Sequence, residues 1–158
     1  MTGKESQEYR KIRLESLKLF PESFGSNYEE MKVKPKLLFE QHLEQEQVGS
    51  FVVGAYSSTN LVGIISFSDT NEYDLPNTGT FIQMYIKPEY QGKGLGLDLT
   101  KVALEQALTV TNIDSVVLEV KVHNVAAIVT YQKAGFAPIE LPYRAKDLLV
   151  MRYPSAHK

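Results

Sequence analysis

The amino-acid sequence predicts an α+β fold with layers of the α/β type, a mixed sheet carrying helices on its faces. Three observations lead there. Two amphipathic helical segments come first, three β-rich runs follow, and a glycine-rich turn then opens an alternation of helix and strand that lasts to the last residues. The 158 residues suit one domain over 1–158, long enough to bury a core without disulfides or metal staples.

Taken in order, Ile12, Leu14, Leu17 and Leu19 lie in a charged stretch at roughly helical spacing, and Pro21 stops that first helix. Pro21, Gly25 and Asn27 punctuate the loop after it. Glu29 to Gln47 again has helical character, with Pro35 placed to start or kink it. From Gly49 the pattern turns to strand: Phe51 to Tyr56 and Leu61 to Phe67 flank Ser57, Ser58, Thr59 and Asn60, which predicts a hairpin. Ser68 to Gly79, rich in Asp, Asn and Pro, is expected to be a loop before a strand over Thr80 to Lys87. A helix from Gly94 to about Thr109 should turn Leu95, Leu99, Val102, Ala103 and Gln106 inward. Val116 to Val122 reads as a strand, Asn124 to Ala134 as a helix closed by Gly135, and Leu148 to Tyr153 as a final strand.

Composition removes several function classes. The absence of cysteine excludes disulfides, thiolate metal sites and a cysteine nucleophile. A net charge of -2 without a basic stripe argues against a nucleic-acid partner. Met1 to Arg13 is polar and charged, unlike a signal peptide, and no run approaches membrane-spanning length, so the expected location is the cytoplasm with no membrane partner.

The segment Gln91, Gly92, Lys93, Gly94, Leu95, Gly96 joins a strand to a helix and places amides without side chains at a helix amino terminus. Glycine lets the backbone approach an anion closely, and the helix end adds partial positive charge, so the turn predicts a pyrophosphate site to which Lys93 can add a screened charge. A dinucleotide fingerprint would need glycine where Leu97 stands, and the P-loop pattern is absent. The competing reading is a turn that merely permits tight strand-to-helix packing.

Asn124 and Tyr131 are seven residues apart on one predicted helix, almost two full turns, so they share a face about 10 Å apart along the axis. That spacing suits two points on an extended ligand such as a pantetheine arm. A helix cap and a core aromatic are the alternatives.

The order IKPEYQGKGLG, then LEV, then HNVAAIVTYQKAGF resembles the GNAT N-acetyltransferase superfamily over roughly Phe81 to Phe136. Gln91, Gly94 and Gly96 fill the three specified positions of that family's Q/R-x-x-G-x-G/A pyrophosphate consensus. Arg13, Leu17, Pro21, Phe24 and Gly25 near the start, and Asp147 and Met151 near the end, are similar to common terminal patterns of the family. The resemblance implies a largely antiparallel central sheet of six to seven strands, with adjacent parallel strands splayed around acetyl-CoA. It implies that Met84, Tyr85 and Ile86 hold pantetheine through their backbone as an added strand would. It also assigns Gln91, Gly92, Lys93, Gly94, Leu95 and Gly96 to the phosphates, and Asn124, Ala127 and Tyr131 to the rest of the cofactor. Leu97 and Asp98 depart from the small, polar or basic residues common after the last glycine, so Asp98 should point away from phosphate.

The implied reaction is direct transfer of acetyl from acetyl-CoA to a primary amine on a small molecule, a peptide amino terminus or a lysine, with no metal. Partners are then acetyl-CoA and an amine acceptor, and a homodimer is left open. A non-catalytic acyl-CoA-binding module is the alternative. A phenol stays protonated near neutrality, which suits Tyr131 as the acid for the departing thiolate. Glu119 keeps the spacing to the asparagine that some ribosomal-protein acetyltransferases use for a base; an ion pair with Lys121 or another neighbour is its competing role. His42 and His123 are read as surface residues. Glu22, Glu29, Glu30, Glu72 and Asp74 lie in or beside loops expected to rim the acceptor site, where they would attract an ammonium or serve as solvated charge.

Overall fold

A computed structural model describes residues 1–24, 26–141 and 146–154 of the chain; Gly25, counted above in a family-like pattern, lies outside the described residues. The first helix, α1 (Ser6–Leu19), buries Tyr9, Ile12, Arg13, Ser16 and Leu17 at spacings of three and four, one stripe of a 3.6-residue helix. Leu19, expected on that stripe, is exposed.

The expected helix over Glu29 to Gln47 is two helices, α2 (Tyr28–Lys32) and α3 (Leu38–Glu44). Pro35 breaks it, because a proline offers no N–H and disfavours helical dihedrals in the residue before it. The α3 start is held by Glu40, which accepts the Leu37 N–H at 2.9 Å and pairs with Arg10 at 2.8 Å from a side chain only 1% exposed.

Strands β1 (Ser50–Ser57) and β2 (Asn60–Ser68) form the expected hairpin, in antiparallel register from Phe51↔Phe67 to Ser57↔Asn60. Strand β3 (Thr78–Ile86) begins two residues earlier than predicted, because Thr78 and Gly79 already pair with the next strand. Helix α4 (Leu95–Val110) follows the glycine turn, then β4 (Ser115–Lys121), α5 (Val125–Lys133), β5 (Ala137–Pro138) and β6 (Leu148–Tyr153). Val122, expected in β4, lies just past its end and is exposed.

Among the described residues the sheet has six strands in the order β1-β2-β3-β4-β6-β5. Every neighbouring pair is antiparallel except β3 and β4, which run parallel over just three residues each, Thr78–Thr80 against Ser115–Val117. Beyond Thr80 they separate, so the sheet forks at its centre.

Two apolar layers cover the sheet. On one face α4 and α5 pack Leu99, Ala103, Leu104, Ala107 and Tyr131 against Phe67, Phe81, Val116 and Leu118. On the other, α1 and α3 pack Tyr9, Ile12, Phe39 and Leu43 against Val52, Ile64 and Tyr85. Val102, expected inside, is 52% exposed; the inward stripe of α4 runs through Leu99, Ala103, Leu104 and Ala107.

Candidate active site

The fork between β3 and β4 opens a cleft of about 120 Å³. Ser23 and Phe24 line it from the segment after α1, Gln83 and Met84 from β3, Glu119 from β4, and Asn124, Ala127 and Tyr131 from the start and face of α5. Five sequence-predicted site residues, Met84, Glu119, Asn124, Ala127 and Tyr131, therefore meet in one place although 47 positions separate the first from the last.

Asn124 accepts the Ala127 N–H at 3.2 Å and caps α5, which fixes the helix relative to the end of β4. Two turns on, Tyr131 is 8% exposed, and burial alone pushes its phenol well above the ordinary tyrosine range. Among the described residues its hydroxyl has no hydrogen-bond partner. It is not sealed off, since no polar side-chain atom in the described residues is both buried and unpartnered. The hydroxyl thus opens to the cleft as a neutral phenol, able to donate a hydrogen bond.

Glu119 does not pair with Lys121, as the sequence had suggested. Lys121 is engaged 3.1 Å from Asp147, and Glu119 instead accepts a hydrogen bond from the Tyr73 hydroxyl. The loop carrying Tyr73 is braced by Asn71, whose Oδ1 accepts the N–H groups of Tyr73 (2.9 Å) and Leu75 (3.1 Å) and whose Nδ2 donates to the carbonyls of Leu75 and Thr78, both at 2.9 Å. Tyr73 escaped the sequence reading because nothing local marks a loop tyrosine as the partner of a strand residue far along the chain. His42 sits away from the cleft, its Nδ1 2.8 Å from the Ser50 hydroxyl and its ring edge-on to Phe39, and His123 is exposed.

At the other end of the fork lies the glycine turn. Gly92 and Gly94 take φ of +76° and +83°, which L side chains rarely adopt, and a Cβ on either would meet nothing within 4 Å. The turn is open on its outer side. No side chain caps α4, so the first-turn amides that helix geometry leaves without intrahelical acceptors are available to an anion. Gly96 sits inward, where a Cβ would stand 3.5 Å from Met84 and 3.8 Å from Thr130. It is the point at which the turn, β3 and α5 approach one another.

Gln91 uses its side chain structurally, donating Nε2 to the Ile86 carbonyl at 2.8 Å and tying the end of β3 to the turn. The Tyr85 ring faces the α1 side, where its hydroxyl donates to Glu15 at 2.7 Å, so backbone is what Tyr85 can offer the fork. Lys93 is exposed, its ammonium 5.7 Å from the Tyr90 ring centre, and Asp98 and Leu95 lie on the first turn of α4 with Asp98 exposed. A wider hollow of about 490 Å³ adjoins the cleft beyond Phe24, bounded by Leu17, Lys18, Tyr28 and Glu29.

Residues 13–136 match the family model described as acetyltransferase (GNAT) family. Over 99 residues the chain is 30% identical to a spermidine N(1)-acetyltransferase of Vibrio cholerae, covering 63% of this chain and 55% of that one. It is 31% identical over 87 residues to a spermine/spermidine N(1)-acetyltransferase of Bacillus subtilis, covering 53% of this chain and 57% of that one. The chain spans about half the length of the curated relatives it matches. Among solved structures, a putative acetyltransferase (yncA) from Salmonella typhimurium with its cofactor acetyl-CoA superposes with a TM-score of 0.73 at 19% identity, covering 100% of this chain and 93% of that one. The PaiA N-acetyltransferase of Thermoplasma acidophilum, in complex with coenzyme A, has a TM-score of 0.70 at 21% identity, with 96% and 94% covered.

Proposed function

The chain belongs to the GNAT acetyltransferase family, and from that premise we propose that it transfers the acetyl group of acetyl-CoA to a primary amine of an oligoamine of the spermidine type, by direct attack within a ternary complex. The observation that carries this reading is the cleft in the β3–β4 fork, which places an open carboxylate, Glu119, and an unpartnered phenol, Tyr131, around one small volume. The named activity of the polyamine-acetylating relatives supports the acceptor class.

Each part of the site has a task in this scheme. The amides opening α4, with Gly92, Lys93, Gly94, Leu95 and Gly96, take the pyrophosphate. The β3 edge freed beyond Thr80, at Met84, Tyr85 and Ile86, takes the pantetheine arm, and Asn124 and Ala127 border its far end. Glu119 attracts the ammonium end of the acceptor and takes its proton, directly or through water, while Tyr131 protonates the departing thiolate. The neighbouring hollow with Glu29 on its wall accommodates the remainder of a long cationic acceptor.

The test is release of free thiol from acetyl-CoA in the presence of spermidine, spermine, peptides with free amino termini and lysine-containing peptides. Turnover with the oligoamines and little with the peptides supports the acceptor class. Turnover confined to peptides overturns the class while leaving acetyl transfer standing, and binding of coenzyme A without turnover of any amine favours a non-catalytic module.

A further inference from the structure

Gln83 lies on the part of β3 freed beyond Thr80, the last residue paired with β4, and three observations set it apart. Its backbone has φ +63°, outside the range that side chains other than Asn, Asp and Gly adopt readily, so the conformation is strained. It belongs to a β-bulge: Ile64 pairs with Tyr85 and Ser66 with Ile82, so Gln83 and Met84 together face the single residue Ile65. Gln83 lines the cleft while its side chain is braced on the α1 side, with Oε1 accepting the Tyr9 hydroxyl at 2.5 Å and the Ser66 hydroxyl at 3.1 Å.

That bracing fixes which end of the amide faces the cleft. Tyr9 is fully buried, and its hydroxyl and that of Ser66 both donate to Oε1, so the carbonyl is the end of Gln83 drawn toward the pair. The Nε2 end then turns away from the Tyr9–Ser66 pair. Among the described residues Nε2 has no partner and is not sealed from solvent. A strained residue with two hydroxyl braces and a free NH2 group in a cleft offers donors only, which suits an oxygen gaining negative charge and does not suit an ammonium.

Resting on the acetyl-transfer reading above, we propose that Gln83 is a catalytic residue whose side-chain amide hydrogen-bonds the acyl carbonyl oxygen during transfer, with Tyr9 and Ser66 as its positioning residues. The acceptor nitrogen bonds to the thioester carbonyl carbon and the carbonyl π pair moves onto oxygen, where Nε2–H meets it. The ammonium proton has passed through Glu119 to water before the attack, and the positively charged nitrogen of the adduct releases its second proton by the same route. The oxygen pair then re-forms the carbonyl, the C–S bond breaks, and the thiolate takes the Tyr131 proton. Gln83 itself exchanges no proton, so its contribution is to the charged intermediate alone.

Gln83→Gly tests this, because glycine suits φ +63° and deletes the amide without straining the bulge. Gln83→Asn, which also tolerates the conformation but is one methylene shorter, withdraws the donors while keeping the chemistry of the group. With wild-type protein, acetyl-CoA and its best amine, both variants should melt cooperatively and lose about 10-fold to 100-fold in kcat, with both KM values held within about twofold. Tyr9→Phe should lose less, since Ser66 remains. An active wild type with unchanged kcat in Gln83→Gly overturns the proposal, as does an effect confined to the acceptor KM, which would make Gln83 a ground-state contact. A wild type that releases no thiol with any amine overturns the acetyl-transfer reading, and this proposal with it.

Discussion

Tyr73 donates its hydroxyl to the carboxylate of Glu119, a side-chain bond between residues 46 positions apart. Burial first, and the Glu119 carboxylate second, hold the Tyr73 phenol above its ordinary range, so it remains a donor at any pH at which an enzyme works. One oxygen of Glu119 is thereby anchored to a loop stiffened by Asn71, and the other has no partner among the described residues. A carboxylate in a forked sheet has been given a defined direction.

Tyr73→Phe should release that direction without unfolding the protein. We expect the kcat/KM for the amine to fall about 10-fold to 150-fold, the range of a lost hydrogen bond to a charged group. Coenzyme A affinity, measured by calorimetry, should stay as in the wild type. A parallel loss of coenzyme A binding would mean that the loop, rather than Glu119, depends on Tyr73.

Tyr131→Phe should lower kcat by about 100-fold with little change in melting temperature, because the hydroxyl bonds to nothing among the described residues and, in the proposed mechanism, serves to protonate the thiolate. Steady-state kinetics with thiol detection measures it. Retained turnover in this variant would remove Tyr131 from the acid role.

Alkaline pH should destabilise the fold through buried phenols. Tyr9 and Tyr131 are both held protonated, chiefly by burial, above the range of an unfolded tyrosine. Below about pH 10 both states carry the protons and this stabilisation is fully present; above it the unfolded chain releases protons that the folded chain keeps, and stability falls as pH rises. Melting temperatures from about pH 8 to 11 should drop with a shallower slope in Tyr131→Phe than in the wild type.

Gly94→Ala should cost about 1–2 kcal/mol of stability, since φ +83° is strained for any Cβ even though the space around it is empty. Urea unfolding reads the cost. Coenzyme A binding should weaken in the same variant, because a side chain there stands in the opening before the α4 amides.

Arg10→Met should destabilise by about 2–3 kcal/mol, leaving the Glu40 carboxylate buried with Lys36, 3.6 Å away, as its remaining cation. Thermal melts check it, and catalysis in the surviving folded fraction should be unaffected because this pair lies in the α1–α3 layer.

The legible parts of the site were those encoded within a few residues of one another. The glycine turn declared itself through the run from Gln91 to Gly96, and Asn124 and Tyr131 through their helical spacing. Pro35 was visible as a kink, yet its power to split one helix into α2 and α3 depended on how both halves pack. Tyr73, Gln83, Tyr9 and Ser66 carried no signal, because each acquires its meaning from a partner brought near by β pairing: Gln83 lies 74 positions from Tyr9. Val102 misled because apolarity alone does not say which side of a helix the sheet will occupy.

The three-residue parallel contact between β3 and β4 has a mechanical consequence. Above it the sheet is two flaps, β1-β2-β3 and β4-β6-β5, stitched at one end. Any extended molecule that hydrogen-bonds along the free β3 edge while touching α5 supplies the missing rungs and turns a hinge into a splint. Rigidity in the carboxyl-terminal half would then be conferred by occupancy, and amides of β4 and β6 far from the molecule itself would exchange more slowly with solvent when it is bound.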